Sequence, residues 1–89
     1  MCTYNTVRAT LTGSAKGPDS SWFRITDASV YYDHPVHAPA EHTLNIDLIA
    51  PDRGPSARVA VELTAASARE LVEAINAALA AVPAELLDS

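Results

Sequence analysis

Residues 43–82, TLNIDLIAPDRGPSARVAVELTAASARELVEAINAALAAV, decide the architecture, because the spacing of their apolar residues changes once, near Thr64. Leu44, Ile46 and Leu48 alternate with Thr43, Asn45 and Asp47; Val59, Val61 and Leu63 alternate with Arg58, Ala60 and Glu62. A period of two sends successive side chains to opposite faces of a pleated backbone, so each run predicts a half-buried strand. The intervening Ala50 to Ser56, with two prolines and a glycine, reads as a turn. Beyond Thr64 the apolar positions are Ala68, Leu71, Val72, Ile75, Ala78, Leu79 and Val82, at spacings of three and four. That stripe predicts an amphipathic helix to about Val82, with Thr64 as its N-cap and Pro83 as its stop.

Upstream the same logic yields two more strands. Val7, Ala9 and Leu11 alternate with Arg8, Thr10 and Thr12, predicting a strand from about Tyr4 to Thr12. Gly13 to Ser20 is dense in turn residues and predicts a hairpin loop. Trp22 to Tyr32 is rich in β-formers, but its apolar parity slips from Phe23 and Ile25 to Val30 and Tyr32. A bulge near Thr26-Asp27-Ala28 would restore the facing. The order β-β-β-β-α with short links predicts an α+β fold: a four-stranded antiparallel sheet with one C-terminal helix packed on one face. Residues 1–89 read as a single domain, with no repeat and no linker.

A chain of 89 residues buries only about 60–65% of its unfolded surface, so self-association would add stability and a homodimer is expected. The uncovered sheet face, carrying Arg8, Thr10, Thr43, Asn45, Asp47, Arg58 and Glu62, is expected to be solvated or paired with another subunit. A hydrophobic fraction of 48% argues against disorder. The net charge of −5 repels phosphate backbones and anionic head groups, so neither nucleic acid nor a membrane surface is an expected partner. With no apolar leader and no long apolar run, a cytoplasmic location is expected. A single cysteine excludes an internal disulfide and a CxxC site.

Chemistry concentrates in Asp33-His34-Pro35-Val36-His37-Ala38-Pro39-Ala40-Glu41-His42, which holds all three histidines of the chain. Pro35 and Pro39 exclude helix and predict an ordered loop. Three imidazoles, or two and a carboxylate, with an open position are what catalytic zinc or non-haem iron requires. His34, His37 and His42 are therefore candidate ligands of a divalent metal ion, zinc or iron, with Glu41 or Asp33 as a further ligand, an orienting group or a general base. The plainer reading is polar: His34 at a strand end, His37 in solvent, and His42 partly buried as a neutral imidazole on the side of Leu44 and Ile46. A metal-free alternative uses Asp33 or Glu41 to tune a histidine as general base. Trp22, Tyr31 and Tyr32 would then shape a small-molecule pocket in a dimer. An accessory role, with Leu86-Leu87 or the open sheet face meeting a partner, is the third reading.

Two further segments bear on function. Removal of Met1 would leave Cys2 with a free amine beside a thiol, a pair able to act as base and nucleophile or to chelate; the bland counterpart is an inert cysteine near a chain end. Gly13-Ser14-Ala15-Lys16-Gly17 suggests an anion-binding loop, but it lacks the Gly-Lys-Ser/Thr ending and precedes a strand, so a hairpin is expected.

Met1-Cys2-Thr3-Tyr4, together with Tyr32 to Asp47, resembles a family of small bacterial proteins of about this length that form a domain of unknown function. That resemblance spans nearly the whole chain and supplies no catalytic residues. The histidine segment is also faintly similar to the first metal motif of cupins. Cupins place two histidines one residue apart, whereas the closest pairs here are three and five apart, and that assignment is not adopted.

Overall fold

A computed structural model describes residues 5–87. Its sheet is a meander of four antiparallel strands in the order β1 (Val7–Lys16), β2 (Trp22–Asp33), β3 (Thr43–Ile49) and β4 (Arg58–Leu63). The α-helix α1 (Ala65–Ala80) follows β4 directly, confirming the predicted α+β order.

The first hairpin is longer than its turn-rich composition predicts. β1 continues through Lys16, pairing Ser14 with Arg24 and Ala15 with Phe23, so that only residues 17–21 remain as loop. Small side chains make this possible: Ala15 is buried with Phe23 and Ile25. The loop closes through Gly17 N–H to Ser21 O at 2.8 Å and through Asp19, whose carboxylate accepts from the Ser21 amide and hydroxyl. The parity slip in β2 is answered on its neighbour. Thr10 pairs with Asp27 and Gly13 with Ile25, so Leu11 and Thr12 of β1 span the single residue Thr26 of an uninterrupted β2.

Two apolar regions result. Ala15, Phe23, Ile25, Ala50 and Ala57 form a closed cluster with Leu11, Leu48 and Val59, capped by the β3–β4 link and its 3-10 turn Pro51–Arg53. At the other end of the sheet, Val30, Tyr32, Leu44, Ile46 and Leu63 face α1 across a groove. The helix starts as predicted: Thr64 Oγ1 accepts from the Ser67 amide at 3.1 Å. Its cover is thin. No residue of α1 is buried, and Leu71, Val72, Ile75 and Leu79 remain 42–57% exposed.

Candidate functional site

Asp33 ends β2 and Thr43 opens β3, and the two pair, so the histidine segment is the loop that joins these strands. Its middle, Val36 to Ala38, lies over the sheet face opposite α1, whereas His42 at its end stacks on Tyr32, which lines the groove under α1. What pins the middle there is a residue from another strand: the Glu62 carboxylate of β4 accepts the backbone N–H groups of Val36, His37 (3.0 Å) and Ala38 (2.9 Å). Three amide donors stabilise the ionised form, so Glu62 is held below the usual carboxylate range. Beneath the loop Thr43 has no exposed surface and Asn45 is buried, joined by a 2.6 Å hydrogen bond from the Thr43 hydroxyl to the Asn45 side-chain oxygen. The polar face read as open in the sequence is thus partly roofed.

The histidines divide between two environments. His34 is exposed, and its Nδ1 lies 2.9 Å from the Glu41 main-chain oxygen. Its main-chain N–H donates to Asp33 Oδ1 at 2.7 Å. His42 is half-buried and stacks with two rings, its centroid 5.7 Å from that of Tyr32 and 4.5 Å from that of His34. His37 is exposed, and its backbone amide is tied to Glu62. The structure does not assemble His34, His37 and His42 as a three-ligand set: among the described residues no group of three or more His, Cys, Asp or Glu side chains is placed to hold a metal ion. The expected pairing of an imidazole with Glu41 takes another form, since His34 meets the Glu41 carbonyl.

Below the loop a cleft of about 770 Å³ is lined by Asp33, His34 and His37 at the rim and by Tyr31, Asp47 and Arg58 along the sheet. Tyr31 Oη donates to Asp47 Oδ2 at 3.3 Å, while Arg58 Nη2 and Nε donate to Asp47 Oδ1 at 2.8 and 3.2 Å. Burial, then the Asp47 charge, pushes the Tyr31 phenol up, and Asp47 holds Arg58 firmly protonated. Tyr31 therefore shares this cleft with the histidine loop, whereas Tyr32 lines the groove under α1 on the opposite face. Trp22 is elsewhere: it opens β2 at the far end from Asp33 and lines a separate cleft with Arg24 and Arg53. Within one chain Trp22, Tyr32 and Tyr31 thus line three separate clefts. Cys2 lies outside the described residues. Gly13 to Gly17 is strand and turn, as the hairpin reading predicts.

Glu62, Asp47 and Arg58 are the site residues that motif reasoning missed. Their signal in the sequence was limited to polar parity on their strands, and only the pairing of Asn45 with Glu62 brings the β4 carboxylate beneath the loop.

A model of a family of unknown function (DUF6295) matches residues 1–88 of the chain. The chain belongs to this family. Neither the curated proteins nor the solved structures contain a significant match to it. Membership agrees with the expected family of unknown function, and it assigns no activity. No helix among the described residues is long and apolar enough to cross a membrane.

Proposed function

We propose that this protein is a small-ligand-binding domain whose site is the cleft between the histidine loop and the polar face of the sheet. The carrying observation is the Glu62 carboxylate, which fixes three successive loop amides. The anchoring stabilises the loop in one conformation, and a binding rim loses less entropy on contact when it is already ordered. The volume falls in the range of small-molecule sites, roughly 300–1,000 Å³. The rim and floor offer imidazoles, a phenol and a guanidinium around three carboxylates, a set suited to a polar ligand rich in hydrogen-bond donors. Screening ¹⁵N-labelled protein by NMR against polar amines and hydroxylated small molecules tests this. Shifts should cluster at Tyr31, His34, His37 and Arg58 and vanish in Arg58→Ala; binding that maps only to the α1 groove would rule the cleft out.

A second reading, a metal ion at the histidine loop, is favoured by one observation. With Nδ1 donating to the Glu41 carbonyl, His34 presents Nε2 with its lone pair free, the tautomer that metal-ligating histidines use. Elemental analysis of wild type and of His34→Ala/His37→Ala decides it. Near-stoichiometric zinc or iron lost in the double variant supports a metal-binding protein, and metal-free wild type after reconstitution removes this reading.

A further inference from the structure

The apolar stripe of α1 is incompletely covered by its own sheet. Leu71, Val72, Ile75 and Leu79 of the stripe are each 42–57% exposed, and Leu86 and Leu87, in the turn that follows the helix, are 59% and 50% exposed. Exposed apolar side chains in this number are on the scale of the largest apolar patch of a typical monomer, about 300–600 Å². Ala74 to Val82 contains no charged residue at all. A helix segment without charge is ordinarily a buried one. Beside it runs the groove of about 610 Å³ whose second wall is Val30, Tyr32, Leu44 and Ile46.

We propose that a second copy of this chain covers this face, through antiparallel pairing of the two α1 helices about a two-fold axis at Ile75. The stripe is symmetric in position about that residue: Ala68, Leu71 and Val72 precede it by seven, four and three, and Ala78, Leu79 and Val82 follow it by three, four and seven. A two-fold axis there sets Leu71 of each copy opposite Leu79 of the other and Val72 opposite Ala78, and brings Ala68 to Val82, two residues past the end of α1. Two of these pairings put a large side chain against a small one, which interdigitation requires. The charged residues of the helix, Arg69, Glu70 and Glu73, fall opposite Ala81, Ala80 and Ala77, so no like charges meet despite a net charge of −5 per chain. Two such patches bring together on the order of 1,000 Å² of apolar surface, the lower bound for a specific interface, and each groove wall adds to it. This assembly uses the sheet face opposite the histidine cleft and stands independently of what that cleft binds.

Sedimentation velocity over a micromolar to millimolar series tests the pairing, with wild type, Ile75→Asp, and Ile75→Cys and Glu73→Cys each in a Cys2→Ser background. Wild type should sediment as a dimer, and Ile75→Asp, with unchanged circular dichroism, should dissociate with a constant raised on the order of 100-fold. A residue on a two-fold axis faces its own copy, so Ile75→Cys should give a disulfide-linked dimer under mild copper-phenanthroline oxidation and Glu73→Cys should not. If Ile75→Asp fails to fold, cross-linking of the two cysteine variants decides between pairing and its absence. A wild-type monomer throughout the series, a folded Ile75→Asp that remains fully dimeric, or failure of Ile75→Cys to cross-link would each overturn the proposal.

Discussion

Glu62 shows how much one side chain can organise when its strand places it beneath a loop. Its carboxylate is held below the usual range by the amides of Val36, His37 and Ala38. A depressed carboxylate pKa favours the folded state above the unfolded value, about 4.3, and that contribution is lost as pH falls through the folded value. The amides of Val36, His37 and Ala38 should therefore share one transition at acidic pH, as the Glu62 carboxylate that they bond is protonated. In Glu62→Gln that shared acid transition should disappear, and hydrogen exchange at Val36, His37 and Ala38 should accelerate at neutral pH. Tyr31 behaves with the opposite sign. Burial and Asp47 raise its pKa, so it favours the fold below about pH 10 and that contribution is lost as pH rises through the folded value. In an alkaline absorbance titration Asp47→Asn should lower the Tyr31 midpoint only in part, because burial, the larger cause, remains.

At the scale of elements, local chemistry sets the ends and the bends. Thr64→Ala removes the oxygen that accepts the Ser67 amide and should cost about 1 kcal/mol in denaturant unfolding. Gly54, at φ 90° and ψ 175°, occupies backbone space that is essentially restricted to glycine, so Gly54→Ala should cost about 1–3 kcal/mol by the same measurement. The helix and the two strands before it were legible because apolar period alone fixes their type. The first hairpin was not fully legible: turn-forming residues at Gly13 and Ser14 suggested loop, yet pairing with Ile25 and Arg24 held them in β1. The slip in β2 was legible as a break in parity, but not which strand would carry the extra residue, because a bulge belongs to a pair of strands.

For the whole molecule, the distribution of apolar surface matters more than its amount. The closed cluster around Phe23 and Ile25 lies at one end of the sheet, and the open groove under α1 at the other. If copies pair through α1, mass action makes the midpoint of thermal unfolding rise with protein concentration, and Ile75→Asp should abolish that rise. Differential scanning calorimetry at two concentrations a hundredfold apart reads this directly. Alternation and helical period, both local, determined the type of each element and the apolar stripe of α1, and the short links between elements gave the α+β class and the strand order. They also located the loop in which all three histidines lie. Only the tertiary structure decided which groups meet: strand register carries Glu62 to the loop amides, the two faces of β2 separate Tyr31 from Tyr32, and the span of β2 removes Trp22 from the histidines. Periodicity reports the face on which a side chain stands, whereas a site depends on distances between residues far apart in the chain, and those follow from pairing and packing.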